Sequence, residues 1–511
     1  MRTVIKGPKK KTKYILFLFI LLLLLIVSFS FFFTSDKNKS VENINIKKIG
    51  AVGDGKTDDT LIIQKALNSA KSSNKPITIT IPKGTYKLTD TLVVYSNTNI
   101  TLEKGAILER NHSSSIIVNG ESTKEYKKYD GEGNITIEGG TLDGNLENYP
   151  SPFNAIGIAH GKNISIKNLV VKDIAGGHAI DINGSKDVLI ENCQFLGYKD
   201  VTTDHSRYYS EAVQIAEQTK LGFPRFGEYD GTPSQDITID NNYFGPSGTK
   251  GTTAWPVGVG NHLTVYDEFN KGIKIINNRF DGMTLAGIRP LKWQDTYIAN
   301  NTFTSCYIGI QLSNTNGQGE SSKTVDGVQT NKPQSGSNYV IENNTFNNSK
   351  KNGIFGRGWF INDTLATMDS LTVKGNIFTN QNLNFKGAVI DLSWIKDVTL
   401  DENVISNVYK GISISYGSNI KISKNDLNAI STDGISINEQ GNLYPNFSNG
   451  VTIAENSISD FSGFGVKANY VTSLLVHNNS LETASTNLKN SILYQNSNNI
   501  KVYANNQTAK Q

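Results

Sequence analysis

The densest group of reactive side chains in this sequence lies between residues 198 and 217. Two carboxylates that flank a glycosidic bond can act as general acid and as base or nucleophile, and an imidazole can transfer protons. These residue types predict acid–base chemistry in or beside this stretch. The candidate catalytic residues are Asp181, Asp204, His205, Glu211 and Glu217.

A second group has the residue types that bind sugars. Arg289, Lys292 and Trp293 lie close together in Gly287-Ile-Arg-Pro-Leu-Lys-Trp293, and such side chains hold a carboxylated or hydroxylated sugar ring. The sequence contains no histidine cluster with zinc spacing and no glycine-rich phosphate loop, so no metal ligand is predicted. The candidate substrate-binding residues are Arg207, Gln214, His262, Arg289, Lys292 and Trp293.

A recurring phrase supplies the elements that position these residues. It combines a polar residue, alternating β-branched and apolar residues, and then an Asn, as in the copies that begin at Asp397 and Asn419. Those two copies start 22 residues apart (419 − 397), which is the length of a bare solenoid coil. The pattern predicts a solenoid of stacked parallel strands, with the recurring Asn residues stacked at a turn.

A second strand follows the phrase in many coils and indicates which residues face outward. Where Ile and Val point inward, the residue between them points out. Coils stack about 4.8 Å apart, so we expect one outward column on five successive coils. Its members are Asp181, Gln214, Gly258, Arg289 and Gln311. The widest intervals between phrases begin at Asp187 and Asp295, which predicts long loops near these coils, where binding and catalysis usually occur.

Three segments carry a family resemblance. Gly53-Asp-Gly-Lys-Thr-Asp-Asp-Thr60, Ile79-Thr-Ile-Pro-Lys-Gly-Thr-Tyr86 and Gly140-Thr-Leu-Asp-Gly-Asn145 resemble the start of the pectate lyase-like right-handed parallel β-helix superfamily. The resemblance implies an all-β fold, a single β-helix over residues 46–511, with an N-terminal capping α-helix. It does not separate hydrolysis from β-elimination. A calcium ion bridged by outward acids is compatible with the superfamily, and no other cofactor is expected.

The N-terminal region predicts membrane attachment. Residues 14–33 are apolar except for two serines, and as a helix they rise about 30 Å, the thickness of a bilayer core. Six Lys and Arg residues precede them, which places the N-terminus inside the cell. We therefore expect a cytoplasmic basic tail at 1–13, a single-pass transmembrane signal anchor at 14–33, a linker at 34–45 and an extracellular remainder.

Charge and cysteine content exclude other classes. Removing the six basic residues of the tail from the 50 in the chain leaves 44 (50 − 6), against 46 acidic residues. This balance removes the electrostatic basis for a nucleic-acid partner. Cys193 and Cys306 are too few for a disulfide framework and lie in apolar, strand-like settings, which predicts buried core residues.

These observations favour an extracytoplasmic polysaccharide-degrading enzyme, either a glycoside hydrolase or a polysaccharide lyase, that acts on a cell-envelope polysaccharide or an exopolysaccharide in a groove on the β-helix face. Two alternatives stay open. One is a non-catalytic glycan-binding or adhesion protein, because the outward column becomes featureless after Gln311. The other is a uronate C5-epimerase, which would change the sugar composition without shortening the chain.

Overall fold

Three long parallel β-sheets wind around one core. A computed structural model describes residues 42–73, 75–438, 448–483 and 491–509. Strands pair in parallel with the equivalent strand of the next coil, as the repeated phrase predicts. The all-β parallel β-helix is therefore confirmed.

Sheet 1 contains the recurring phrase. Its strands are Glu42–Asn45, Ile77–Ile81, Thr98–Leu102, Ile135–Glu138, Lys162–Lys167, Lys186–Glu191, Gln235–Asp240, Lys271–Ile276, Gln294–Ala299, Ser337–Glu342, Met368–Lys374, Ala388–Asp401, Lys410–Ser423, Ser448–Ala454, Val471–His477 and Asn498–Tyr503. Alternate side chains of each strand point into the core, as in the buried Ile164 and Ile166.

Sheet 2 contains the strands that follow the Asn turn. They are Asp54–Asp58, Gly84–Leu88, Ala106–Arg110, Thr141–Asp143, Val170–Ala175, Gln194–Lys199, Tyr243–Gly245, Arg279–Asp281, Thr302–Thr304, Thr345–Asn347, Ile377–Thr379, Val404–Val408, Asp426–Ile430, Ser457–Phe461, Ser480–Thr483 and Asn506–Ala509. A row of inward phenylalanines crosses this sheet, with successive ring centroids 4.6–5.0 Å apart from Phe195 to Phe378.

Sheet 3 carries the candidate site. Its strands are Leu92–Val93, Ile117–Val118, Ile156–Ala159, Ile180–Asn183, Glu211–Ala216, Val257–Gly260, Ala286–Arg289, Ile308–Leu312, Ile354–Arg357, the first parts of Ala388–Asp401 and Lys410–Ser423, then Ile435–Ile437, Val466–Asn469 and Ile492–Gln495. A two-stranded antiparallel hairpin, Trp359–Ile361 with Thr364–Ala366, lies outside the three sheets.

The predicted Asn stack is present at the turn between sheets 1 and 2. Asn242, Asn278, Asn301 and Asn344 are buried, and each donates its side-chain amide to the side-chain oxygen of the next Asn at 2.9–3.0 Å. The stack continues through the later coils to Asn505. Each buried amide is therefore satisfied along the solenoid axis, which fixes the register of the coils.

One short α-helix, Thr60–Asn68, packs on the first coils through its buried Ile63, Ala66 and Leu67. The Asp58 carboxylate accepts from the Thr60 backbone N–H at 3.0 Å, which caps the helix. Asp59 accepts from two backbone N–H groups of the preceding loop, at 2.7 and 3.0 Å. The short 3-10 segments are Ile46–Ile49, Ser69–Ser72 and Glu320–Ser322.

The predictions for the N-terminal region concern a basic tail, a transmembrane segment and a linker. The basic tail at 1–13 and the transmembrane segment at 14–33 lie outside the described residues. Within the described ranges, no helix has the length and apolar character needed to cross a membrane. The first strand, Glu42–Asn45, falls inside the predicted linker at 34–45, so the β-helix begins earlier than expected.

The outward column differs from the prediction at one position. Asp181 pairs with Gln214, Gln214 pairs with Gly260, and Gly260 pairs with Arg289. The bare position is therefore Gly260, and the prediction of Gly258 was wrong. A Cβ on Gly258 would lie 2.4 Å from the Phe280 ring, so this residue faces the core. It lies at a corner of the coil, where the alternation of inward and outward residues is interrupted.

Candidate functional site

A second column lies three residues before the outward column and brings the reactive groups together. Gly157 pairs with Asp181, which pairs with Gln214, so Asn154, His178 and Glu211 occupy one register position on three successive coils. All three side chains stand at the start of sheet 3 strands. This column was not predicted, although its spacing from the outward column is constant in the sequence.

Glu211 is the centre of this group. It is fully buried, and its Oε2 accepts from His262 Nδ1 at 2.9 Å and lies 3.6 Å from His178 Nδ1. Burial raises the pKa of Glu211, but the His262 charge and hydrogen bond, with His178 and Arg289, outweigh this and hold the pKa below its usual value. Glu211 is therefore an ionised carboxylate shared by two imidazoles.

The two histidines have distinct roles in this group. His178 Nδ1 donates to the Glu211 backbone carbonyl at 2.8 Å, and burial lowers the pKa of His178, which favours a neutral ring. His262 uses Nδ1 to donate to the Glu211 carboxylate, which leaves Nε2 as the ring nitrogen that can accept a proton. Their rings are stacked with centroids 5.7 Å apart, and Tyr209 packs on His262 at 4.7 Å.

Asp181, a predicted catalytic residue, is held by amides instead of facing a substrate. Its Oδ1 accepts from Asn183 and Gln214 at 2.7 Å each, and its Oδ2 accepts from Asn154 at 2.6 Å. Burial raises its pKa, and the side chain is fully enclosed. Asn154 also accepts from the His178 backbone N–H at 3.0 Å. Asp181 therefore anchors the amides that surround the histidines.

A groove of about 760 Å³ opens above these residues. His178, Gln214 and His262 line its floor, and the excursions between strands form its walls. The walls contain two guanidinium groups, from Arg207 and Arg225, and one acidic side chain. The other lining residues include Pro152, Phe153, Asn154, Ser206, Tyr209, Leu221, Pro224, Leu263, Gln318, Glu320 and Ser321. This charge distribution favours an anionic ligand.

Arg289 adds a third guanidinium beside the groove floor. It lies next to Gly260 in the outward column, and its charge helps to lower the pKa of Glu211. Within the described part of the chain, its Nε and Nη1 are buried without a hydrogen-bond partner, as are Glu211 Oε1 and Gln214 Oε1. Buried polar atoms without a protein partner favour the binding of water or a polar ligand between them.

Two predicted catalytic residues lie away from this centre. Asp204 and His205 are exposed on the 200–210 loop, and neither lines the groove. Asp204 accepts from the Ser206 backbone N–H at 3.1 Å, which stabilises the loop. The structure does not bring these two residues to Glu211. Their neighbours Ser206 and Arg207 line the groove.

Glu217 and Lys292 form a buried support beneath the wall of the groove. Lys292 is fully enclosed, and its ammonium donates to the Val265 carbonyl at 2.7 Å and to Gln334 Oε1 at 2.9 Å. Glu217 accepts from Thr264 at 2.7 Å. Burial raises the pKa of Glu217 to about 7 and lowers that of Lys292 to about 8, and the opposite charges limit both shifts.

The predicted roles of three residues are corrected by this burial. Lys292 joins the 261–270 and 313–336 excursions, so its ammonium does not reach a substrate. Trp293 is fully buried in the core and cannot stack on a sugar. Glu217 lies under the wall with its carboxylate enclosed and does not flank a bond in the groove.

The His178, Glu211 and His262 group also has the donor set of a metal site. One ligand atom from each lies within 4.8 Å of the others. Two imidazole nitrogens and one carboxylate suit zinc-class ions, whereas calcium takes six to eight oxygen ligands. His178 Nδ1 is already bonded to the Glu211 carbonyl, so a metal at that nitrogen would have to break this contact. These three residues do not have the ligand set of a calcium site.

Comparisons with known proteins match two family models. Residues 43–208 match rhamnogalacturonase A/epimerase, pectate lyase-like, and residues 332–446 and 364–509 match the right handed beta helix region. The chain has the pectate lyase-like right-handed β-helix fold. The resemblance carried by the three N-terminal segments is therefore confirmed.

Similar proteins include a surface adhesin and, by fold alone, an enzyme. The chain is 28% identical over 446 residues to plasmin and fibronectin-binding protein A of Streptococcus pneumoniae, a match that covers 82% of this chain and 57% of that protein. The crystal structure of PfbA, a surface adhesin of S. pneumoniae, is 25% identical with a TM-score of 0.58, over 87% of this chain and 93% of that one. A family 28 exopolygalacturonase of Yersinia enterocolitica, at 15% identity and TM-score 0.52 over 91% and 79%, shares the β-helix fold.

Proposed function

We propose that this chain is an extracytoplasmic enzyme that degrades an acidic polysaccharide bound in the groove. The observation that carries the proposal is the buried Glu211 carboxylate, which holds His262 Nδ1 and leaves Nε2 available as a base on the groove floor. A carboxylate that orients an imidazole in this way supports proton transfer. The guanidinium groups beside it match a substrate that carries carboxylates.

The geometry favours β-elimination over hydrolysis. His262 Nε2 removes the proton alpha to a uronate carboxylate, whose growing charge is offset by Arg289. The electron pair forms a carbon–carbon double bond as the glycosidic oxygen leaves, and Tyr209, which packs on His262, supplies a phenol that can return a proton to that oxygen. Hydrolysis needs two carboxyl groups that reach the bond, whereas Asp181 and Glu211 are fully buried and hydrogen-bonded.

The proposed location follows from the N-terminal sequence. Residues 14–33 would anchor the chain in the cell membrane, with the tail at 1–13 inside and the β-helix outside. The groove would then meet polysaccharides of the cell envelope or the surrounding matrix. Blotting after protease treatment of intact cells tests this, because an outside β-helix is digested without permeabilisation.

Product analysis tests the reaction. The chain is incubated with polyuronates, and the product absorbance in the ultraviolet is recorded, because only elimination leaves an unsaturated uronate. We expect His262→Asn to abolish this signal and His205→Asn, the matched change on the exposed loop, to retain it. An unchanged chain length with altered uronate composition would instead identify a C5-epimerase. Shortened chains without the absorbance would identify a hydrolase.

A second candidate function is adhesion without turnover. The observation that favours it is the 28% identity to a plasmin- and fibronectin-binding protein over 82% of this chain. That relative extends well beyond the matched part, since the chain spans 57% of its length. Binding of glycan or fibronectin without any product would support adhesion and would leave the groove as a recognition site.

A further inference from the structure

A side pocket adjoins the groove and has a different chemical character. It has a volume of about 180 Å³ and lies between the 217–234, 261–270 and 313–336 excursions. Leu221, Leu263 and Glu320 line both the side pocket and the groove, so the two spaces are adjacent. The remaining lining residues include Thr219, Tyr229, Thr264, Val265, Lys323, Thr324 and Val325.

Aliphatic side chains from all three excursions converge on the side pocket. Leu221 is 66% exposed and Val325 is 47% exposed, although both belong to ordered segments next to a binding groove. Apolar side chains that face solvent beside a binding site indicate a site for an apolar group of the ligand. The pocket is about a quarter of the groove in volume, which suits a small substituent and not a second polymer chain.

The walls of the side pocket are held in place before any ligand arrives. The Tyr266 backbone N–H donates to the Lys323 carbonyl at 2.7 Å, which joins two of the three excursions. Lys292 joins the same two excursions through Val265 and Gln334. A preformed cavity loses little conformational entropy on binding, so even a small apolar group can contribute to affinity.

We propose that the side pocket binds an O-acyl substituent, of acetyl size, on the acidic polysaccharide in the groove. The inference rests on the proposed function, because the sugar chain must lie in the groove for its substituent to reach Leu221 and Val325. The acyl methyl packs against these side chains, and Lys323 lines the pocket with an ammonium that donates to Glu320 Oε1 at 2.7 Å and has further hydrogens for the ester carbonyl. The substrate is therefore an acylated polyuronate.

Binding to paired polymers tests the inference. The full-length chain in detergent is titrated with polygalacturonate and polymannuronate, each with and without O-acetyl groups and at matched chain length. We expect at least about 10-fold tighter binding of an acetylated form, which is the scale of one methyl-sized group in an apolar pocket. Val325→Thr and Val325→Asn, two changes at a residue that lines the side pocket and not the groove, should remove this preference while affinity for the unmodified polymer stays the same. The control is Leu383→Asn, an exposed leucine outside both spaces.

The outcomes separate the two proposals. Equal affinity of the wild-type chain for acetylated and unmodified polymers would overturn the side-pocket inference and leave the proposed function intact. A preference that survives in both Val325→Thr and Val325→Asn would also overturn it. Failure to bind any of the four polymers would overturn the proposed function together with the inference.

Discussion

The coils between Asp181 and Gln311 and the coils after Ile354 share one scaffold but differ in the excursions that flank sheet 3. In the first region, the chain leaves sheet 3 in long excursions at 217–234, 261–270 and 313–336 before it enters sheet 1. In the second region, Ala388–Asp401 and Lys410–Ser423 run through that corner without a break. The groove therefore comes from insertions on both sides of sheet 3, since the 200–210 loop, which precedes the strand Glu211–Ala216, supplies Arg207 and Tyr209.

The outward column differs between the two regions in the same way. In the first region it places Asp181, Gln214 and Arg289 beside Glu211 and the two histidines. In the second region the column runs through Phe355, Asp391, Ser413, Ser436 and Lys467, a different set of side chains. The comparison teaches that the scaffold sets the spacing, whereas local residues and insertions determine the chemistry.

The largest expected effect comes from Glu211→Gln in the first region. A neutral amide no longer stabilises the imidazolium that forms when His262 Nε2 takes a proton. We therefore expect kcat to fall about 10²- to 10⁴-fold, the range typical of general acid–base groups. Ser413→Ala, in the outward column of the second region, should leave activity unchanged. Steady-state rates on a polyuronate measure both. Full activity in Glu211→Gln would contradict the assigned base, and thermal unfolding controls for lost structure.

A pH effect on stability should be confined to the first region. The folded pKa of Glu217 is raised from 4.5 to about 7, so the folded state holds its proton more tightly than the unfolded chain. The contribution of this bound proton to the free energy of unfolding is complete below about pH 4.5. It decreases by up to about 3 kcal/mol as the pH rises to 7. Denaturant titrations from pH 4.5 to 7 should show this decline, and Glu217→Gln should flatten it. An equal decline in Glu217→Gln would exclude Glu217 as its source.

Replacing one Asn of the stack should lower the unfolding free energy by the same amount in both regions. Asn278→Ala and Asn425→Ala each remove amide donors and an acceptor from a buried stack, and each should cost about 1–3 kcal/mol of unfolding free energy. Denaturant titrations at one pH give both values. A much smaller cost at Asn425 would show that the scaffold is not uniform and would break the comparison.

The smallest expected effect comes from replacing the buried Lys292, with the exposed Lys396 as the comparison. Lys292→Met retains the bulk of a buried side chain but removes one of two donors from the Val265 carbonyl and from Gln334 Oε1, which keep the Glu268 and Asp267 N–H groups. It should therefore cost about 1–2 kcal/mol and raise KM by loosening the groove wall. Lys396→Met, at an exposed site on the second region, should change neither. If KM stays constant in Lys292→Met, Lys292 is not a support of the groove.

The sequence predicts the regular parts of the molecule because each coil repeats the same physical requirements. Alternating β-branched residues and a buried Asn at every turn are enough to indicate the solenoid and the Asn stack. The family resemblance adds the capping helix. Glu211, Gln214, Arg207, Arg289 and His262 were predicted as site residues from their types and register, and the structure places them in or beside the groove.

The errors occur where the coil turns a corner. Gly258 faces Phe280 because two inward residues follow each other there, which moves the outward position to Gly260. Lys292 has a positive φ of 60°, so the chain turns and buries residues that follow the exposed column. Excursions have no repeat, so the approach of Arg225 and Tyr209 to the groove could not be predicted from spacing.

The most direct test of the central claim is the product of the wild-type chain acting on an acylated polyuronate, analysed by mass and ultraviolet absorbance. The account predicts shortened chains with an unsaturated uronate at the new end, formed by the wild type and by His205→Asn but not by His262→Asn. Uncleaved polymer of unchanged uronate composition, recovered from a wild-type chain that binds it, would contradict the account and favour adhesion.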